Sequence, residues 1–241
     1  MIAVVAFLAL VIVVLRVLGG GDDTGSSSSQ KVTVPLGGRQ AADIKIDSAA
    51  DNIHISTADL GGNLAVVTTP GGEQSAVSPK AEMTGDSLRV WTEETGDATA
   101  GAATSIDVQI AQGVKWDVAV VKGARQIKLD LGTAKLGSVE LNGGADKADV
   151  TLPKPDGELV AKIPTGLAEA DIHLLPGVLT RAVFAKGAGQ ATVDGDKKVG
   201  LKPGAEMNGS GAKKGYDSAK DRVRIDVTAG VGILVVDRNA S

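Results

Sequence analysis

Two histidines, His54 and His173, are the first side chains to weigh for chemistry, and they lie far apart in the chain. Neither has a metal-ligating neighbour at helical or hairpin spacing, so no metal site is expected at either. His173 follows Asp171 and Ile172 in an alternating run, which predicts an outward-facing strand residue. No G-x-S-x-G turn is present to seat a nucleophilic serine. The chain has no cysteine, which removes thiolate ligands, a cysteine nucleophile and disulfides together. Gly204-Ala-Glu-Met-Asn-Gly209 has the first spacing of a phosphate loop, but Ser210-Gly211 stands where Lys and then Ser or Thr are required. That segment reads as a flexible turn. Gly143-Gly-Ala-Asp146 has the glycine and acid of a calcium-binding β-helix repeat in the wrong order, and reads as ordinary turn chemistry. Asp149 and Asp171 have the most chemical reach. On neighbouring strands their carboxylates would stand about 5 Å apart, near the separation used by retaining glycosidases. No tryptophan or tyrosine ladder accompanies them to hold a sugar, and Lys128 and Thr192 at equivalent positions read as surface. The expectation is therefore no catalytic, cofactor-binding or metal residues and no cofactor. A carbohydrate-active β-helix enzyme using Asp149 and Asp171 is the alternative.

The element that would bring those two aspartates together is a repeat. A glycine-led unit reads Gly123-Ala-Arg-Gln-Ile127, then Gly144-Ala-Asp-Lys-Ala148, Gly166-Leu-Ala-Glu-Ala170 and Gly187-Ala-Gly-Gln-Ala191, and last Gly230-Val-Gly-Ile-Leu234. The starts are 21, 22, 21 and 43 residues apart. A period of that length signals stacked supersecondary units. A second alternating series (Val139-Glu-Leu141, Val160-Ala-Lys-Ile163, Val183-Phe-Ala185) interleaves with the first, so each rung of about 22 residues holds two strands. Stacking predicts outward neighbours: Arg125 beside Asp146, Lys128 beside Asp149, and Lys147 beside Glu169. The columns would continue from Glu169 to Gln190 and from Asp171 to Thr192. Earlier in the chain Lys31-Val-Thr-Val, Asp43-Ile-Lys-Ile, Asn52-Ile-His-Ile, Asn63-Leu-Ala-Val, Ser87-Leu-Arg-Val and Ser105-Ile-Asp-Val-Gln-Ile alternate in the same way. Gly37-Gly38, Gly61-Gly62 and Gly71-Gly72 mark turns, and residues 95–103 read as a loop. Residues 194–221 break the pattern and read as one irregular coil filling the doubled interval.

Composition agrees with a narrow interior. The 241 residues are 43% hydrophobic but 2% aromatic, with 32 glycines, so Val, Ile, Leu and Ala must fill the core. A net charge of −4 with so few rings disfavours nucleic acid, which needs a basic face and stacking platforms. Residues 2–15 are uninterruptedly apolar, with Arg16, Val17 and Leu18 following. As a helix this run spans roughly 25 Å, at the short end for a bilayer core. It lacks a basic leader and an A-x-A-like cleavage site, so residues 1–18 read as a transmembrane anchor rather than a cleaved signal. Residues 19–30, GGGDDTGSSSSQ, read as a flexible linker, and residues 31–241 as the folded domain.

The stretches Val114-Lys-Trp-Asp-Val-Ala-Val-Val-Lys-Gly-Ala-Arg-Gln-Ile-Lys-Leu-Asp-Leu131, Gly143-Gly-Ala-Asp-Lys-Ala-Asp-Val-Thr-Leu-Pro-Lys-Pro-Asp-Gly157, Gly215-Tyr-Asp-Ser-Ala-Lys-Asp-Arg-Val-Arg-Ile-Asp-Val227 and Gly230-Val-Gly232 occur in that order. Together they resemble the bacterial adhesin-like β-solenoid family, a domain of unknown function. They are also similar to the C-terminal domain of cell-wall-active antibiotics response membrane proteins. Thr165-Gly166 and Lys186-Gly187 stand where that family usually pairs glycines. The resemblance implies an all-β, right-handed β-solenoid-like domain in the bacterial envelope and no transferable catalytic residue. The expected protein is a non-enzymatic, single-pass membrane protein, adhesin-like or an envelope-stress scaffold or sensor. Its partners would be the membrane, an envelope protein or a wall polymer, with its soluble domain extracytoplasmic.

Overall fold

The computed structural model describes residues 30–70, 77–94, 104–212 and 215–240. The expected anchor at 1–18, nearly all of the linker at 19–30, the Gly71-Gly72 turn and the 95–103 loop lie outside the described residues. Among the described residues, no helix is long and apolar enough to cross a membrane.

Alternation of β-branched and polar residues dictates the local structure. Among the described residues the chain forms nineteen strands and no α-helix. They are β1 (Gln30–Pro35), β2 (Ala41–Ile46), β3 (Ala50–Ala58), β4 (Asn63–Thr69), β5 (Val77–Thr84), β6 (Ser87–Glu94), β7 (Ser105–Ala111), β8 (Lys115–Val120), β9 (Ala124–Asp130), β10 (Lys135–Leu141), β11 (Ala145–Thr151), β12 (Glu158–Ile163), β13 (Leu167–His173), β14 (Thr180–Phe184), β15 (Ala188–Val193), β16 (Asp196–Leu201), β17 (Ala205–Asn208), β18 (Arg222–Val227) and β19 (Val231–Asp237). They build two mixed sheets. One has ten strands in the order β1-β4-β7-β3-β9-β11-β13-β19-β15-β16. The other has nine, β17-β14-β18-β12-β10-β8-β2-β6-β5.

The inward residues of both sheets form one aliphatic core. Ile44, Ile46, Leu88, Val90, Val118, Ile225 and Val227 come from the nine-stranded sheet. Ile53, Ile55, Val108, Ile127, Leu129, Leu234 and Val236 come from the ten-stranded one. All of these are essentially inaccessible. Each such side chain contributes about 1.5–3 kcal/mol by leaving water. Trp116 lies wholly inside, and its Nε1–H donates to the Ala111 carbonyl at 2.9 Å.

One strand from each sheet makes a rung. Seven rungs stack in parallel, in the spatial order β6/β7, β2/β3, β8/β9, β10/β11, β12/β13, β18/β19, β14/β15. This is a β-solenoid-like repeat, and its strands β8 to β15 follow the expected period. Antiparallel strands close the stack: β4, β1 and β5 at one end, β16 and β17 at the other.

The leading glycines sit where successive rungs turn against one another. A Cβ placed on Gly123 would lie 3.1 Å from the Gly144 carbonyl oxygen; one on Gly144, 3.2 Å from that of Gly166; one on Gly166, 3.8 Å from that of Gly230. A Cβ on Gly143 would overlap the Lys122 carbonyl outright. This column passes from Gly166 to Gly230 and leaves out Gly187, whose φ is +84° and whose corner meets Leu201 instead.

The interval of 43 residues is thus not a skipped coil. Residues 194–221 contain β16 and β17, which leave the stack to cap it, and the chain then returns so that the Gly230 rung slots between the Gly166 and Gly187 rungs. The expected neighbours Glu169–Gln190 and Asp171–Thr192 are each separated by a strand, with Ile233 and Val235 between them.

Side chains clip the inserted rung in place. Asp194, with φ +49° just after β15, accepts from Arg238 Nε at 2.7 Å and Nη2 at 2.6 Å just after β19. The Ser210 N–H also donates to Asp194. Arg181 stacks on Tyr216, 4.3 Å from the ring centroid, and reaches Asp217 at 2.9 Å. Arg222 donates to the carbonyls of Tyr216, Asp217 and Ala219, tying the preceding loop to β18.

Candidate functional site

Period-two alternation turns every second residue of the ten-stranded sheet to solvent, and parallel register lines these residues up across rungs. One outward column runs Asp107, His54, Lys128, Asp149, Asp171 on β7, β3, β9, β11 and β13. The next runs Ser56, Asp130, Thr151, His173, Asp237.

Both histidines lie between carboxylates of flanking rungs. His54 Nδ1 is 2.7 Å from Asp107 and Nε2 is 2.9 Å from Asp130. His173 Nδ1 is 2.8 Å from Asp237 and Nε2 is 3.5 Å from Asp149. A neutral imidazole has one N–H, so the two carboxylates hydrogen-bonded to His54 favour its doubly protonated ring. At His54 the hydrogen bond to Asp107 raises the pKa; partial burial opposes it, and Asp130 adds to the rise. Burial alone would raise the Asp130 carboxyl, but Lys128 at 3.0 Å and His54 outweigh it and hold it below its usual value. Lys147 bridges Asp171 at 2.8 Å and Glu169 at 2.7 Å. Its ammonium is held charged well above its ordinary range, first by Asp171 and then by Glu169.

Asp149 and Asp171 are register neighbours, as the repeat predicts. Both face side chains of their own sheet, the His173 ring for the first and the Lys147 ammonium for the second, rather than an open substrate groove. Neither tryptophan serves this face: Trp116 is in the core, and Trp91 belongs to the other sheet beneath Arg89. Lys128 lies beside Asp149 in register as expected, but its closest partner is Asp130. Arg125 is 3.8 Å from Asp51 on β3, not paired with Asp146 as expected. Gly204–Gly209 is no flexible turn: Ala205–Asn208 forms β17 and pairs with β14. Among the described residues, no group of three or more His, Cys, Asp or Glu side chains could hold a metal ion. A cleft of about 450 Å³ lies between Leu36, Arg39, Leu60, Gln112 and Val114, and no residue of either column lines it.

The paired histidines were not legible beforehand. The His54 partners are 53 and 76 residues away, in rungs that precede or begin the recognisable repeat. Asp237 meets His173 because the last rung is inserted beside β13. One signal was available: the repeat period alone sets Thr151 beside His173, and so Asp149 diagonally from it.

Residues 23–173 match the family model described as the N-terminal domain of toast_rack, DUF2154, and the chain belongs to this family. No curated protein matches the chain. Among solved structures, a "putative cell adhesion protein" from Clostridium sporogenes ATCC 15579 is 14% identical and superposes with a TM-score of 0.63 over 89% of this chain and 100% of that one. That similarity establishes the fold. A "putative adhesin" from Bacteroides fragilis NCTC 9343 is 10% identical, with a TM-score of 0.30 over 88% of this chain and 98% of that one.

Proposed function

From membership of the toast-rack family and the geometry of the ten-stranded sheet, we propose a non-enzymatic, adhesin-like scaffold of the bacterial cell envelope. Residues 1–18 anchor it in the membrane, and the β domain stands outside the cytoplasm. The outward face of the ten-stranded sheet meets an envelope protein or a wall polymer. One observation carries this reading: the ionisable groups of that face pair with each other across rungs instead of converging on a cleft. A general acid–base pair needs carboxylates free to exchange protons with a bound substrate. Mutually neutralised charges on a stiff sheet instead make a flat, ordered contact surface. The Clostridium protein of the same fold is described as a cell adhesion protein, which agrees with this reading.

The test compares the two faces. Purified wall fragments and solubilised envelope proteins are passed over the immobilised full chain, over K128E/K147E on the ten-stranded sheet, and over K45E/K162E on the other. A ligand kept by the wild type and by the second variant, but lost by the first, is the expected result. Equal retention by all three overturns the assignment of the face. Release of sugar from wall polysaccharide that D149N/D171N abolishes overturns the non-enzymatic reading. Recovery of the full chain in the soluble fraction, without detergent, overturns the anchor.

A further inference from the structure

The ten-stranded sheet ends in β16, which pairs with β15 on one side only. From Asp196 to Gly200 every residue of β16 is exposed, so neither of its faces is covered by the second sheet. Val199 and Ile233 are the exposed large hydrophobic residues among the described ones, at 73% and 39%. They are not scattered. Gln190 pairs with Val199 on one side and Ile233 on the other, so the three form one outward column running to the free edge. Beside it, Val235, Thr192 and Lys197 form the next column. The charged ladders of the sheet thus give way, over its last three strands, to a strip in which Ile233, Val235 and Val199 mix with Gln190, Thr192 and Lys197, and it ends at the open edge of β16. The charge there is one-sided. Four lysines, Lys186, Lys197, Lys198 and Lys202, make no ion pair among the described residues and outnumber Asp196, the one acid on β16, while Asp194 is taken by Arg238.

The other edges are built differently. The edge strand β5 carries Pro79, which cannot donate to an added strand. The strand β17 is four residues long. The strand β1 ends in Pro35, whose nitrogen has no proton to donate to an added strand.

We propose that β16 is a docking edge for an extended acidic polypeptide, which adds an eleventh strand to the sheet. Main-chain hydrogen bonds would supply affinity. Side chains on one face of the added strand would lie beside Val199 and Lys197, and those on the other face beside Lys198. Like-charged edges disfavour a second copy of this chain as the occupant, because Lys31 on β1 would face the lysines of β16. This site is independent of whatever the charged face binds.

The experiment pans a displayed library of random 12-residue peptides on the full chain. Enriched peptides should combine Asp or Glu with β-branched residues. Their affinity should fall tenfold or more on K197E/K198E and on V199D, while K128E/K147E leaves it unchanged. Circular dichroism melts of the variants should match the parent, since β16 is exposed. Three results would each overturn the proposal: no enrichment over an empty support, enriched peptides without acidic bias, or binding undiminished in both β16 variants. Concentration-dependent dimerisation abolished by V199D, without peptide binding, would assign the edge to a second copy and overturn it equally.

Discussion

The rungs β8/β9, β10/β11 and β12/β13 lie side by side in the order in which the chain makes them, whereas the rungs at either end do not. Near the amino end the chain first lays down β2/β3, then caps the stack with β4 and β5, and only afterwards adds β6/β7 outside its own second rung. Near the carboxyl end it lays down β14/β15, caps with β16 and β17, and returns to push β18/β19 between rungs already made. A parallel strand with aliphatic inward residues presents nearly the same edge to any such neighbour, so local sequence leaves the order of stacking open. The caps and the clips decide it. The middle is held by contacts about one period apart, and the ends by pairings such as Glu158 with Arg222, 64 residues distant.

The sharpest way to break that contrast is to end the chain after Asp221. This removes β18 and β19, each of which has a strand on both sides, and leaves two gaps in the middle of the sheets. The truncated protein is expected to show no cooperative thermal transition by circular dichroism; a melt like the parent's would make the insertion dispensable. Single core truncations come next. Leu129→Ala in the middle and Ile225→Ala in the inserted rung remove equally buried side chains, and each should cost about 2–5 kcal/mol in urea titrations. If the carboxyl end opens independently, Ile225→Ala alone will split the transition in two.

The corners give a smaller difference. Gly143→Ala forces a methyl group into the Lys122 carbonyl and should cost about 1–3 kcal/mol. Gly230→Ala at the inserted rung meets open space and should stay within about 0.5 kcal/mol of the parent. Asp194→Asn weakens the clip to Arg238 and should cost about 1–3 kcal/mol at neutral pH. Burial works against the Asp194 charge, but Arg238 and the Ser210 N–H more than offset it, so its pKa is depressed in the folded state. Its contribution is present above the unfolded value and is lost as pH falls through the folded one, so the Asn variant should have a flatter acid limb.

A smaller effect than at the Asp194 clip is expected at His54. Its pKa is raised by Asp107 and Asp130 against burial, so the stability it adds is complete below about pH 6.5, its unfolded value. That stability is lost as pH rises through the folded value. His54→Gln should remove this alkaline decline in melting temperature, at a cost below about 1 kcal/mol in a partly exposed network. An unchanged pH profile would mean that the bridge contributes nothing.

Much of this fold can be read from alternation. Lys31–Val34, Asp43–Ile46, Asn52–Ile55, Asn63–Val66, Ser87–Val90 and Ser105–Ile110 all fall within strands. Lys147 meets Glu169 across one period. The strand β5 was missed because Pro79, Lys80 and Glu82 interrupt its pattern, and only pairing with β6 holds it extended. The strand β16 opens with Asp196, Lys197 and Lys198, because an exposed edge buries little, and β17 alternates as Ala205-Glu206-Met207-Asn208 over only four residues, so neither stands out from a turn.

By itself, the sequence determined the rung: its length, its two strands, its inward aliphatics and the glycine at its corner. Side-chain period and backbone sterics act over a few residues, so they are written locally. The order of the rungs, the Asp–His–Asp bridges and the open edge at β16 were decided only by tertiary structure. Each depends on which of several near-equivalent strand edges meet, and that choice is made by residues far apart in the chain, such as His54 with Asp107 and Asp130, 53 and 76 positions away, and Glu158 with Arg222, 64 away.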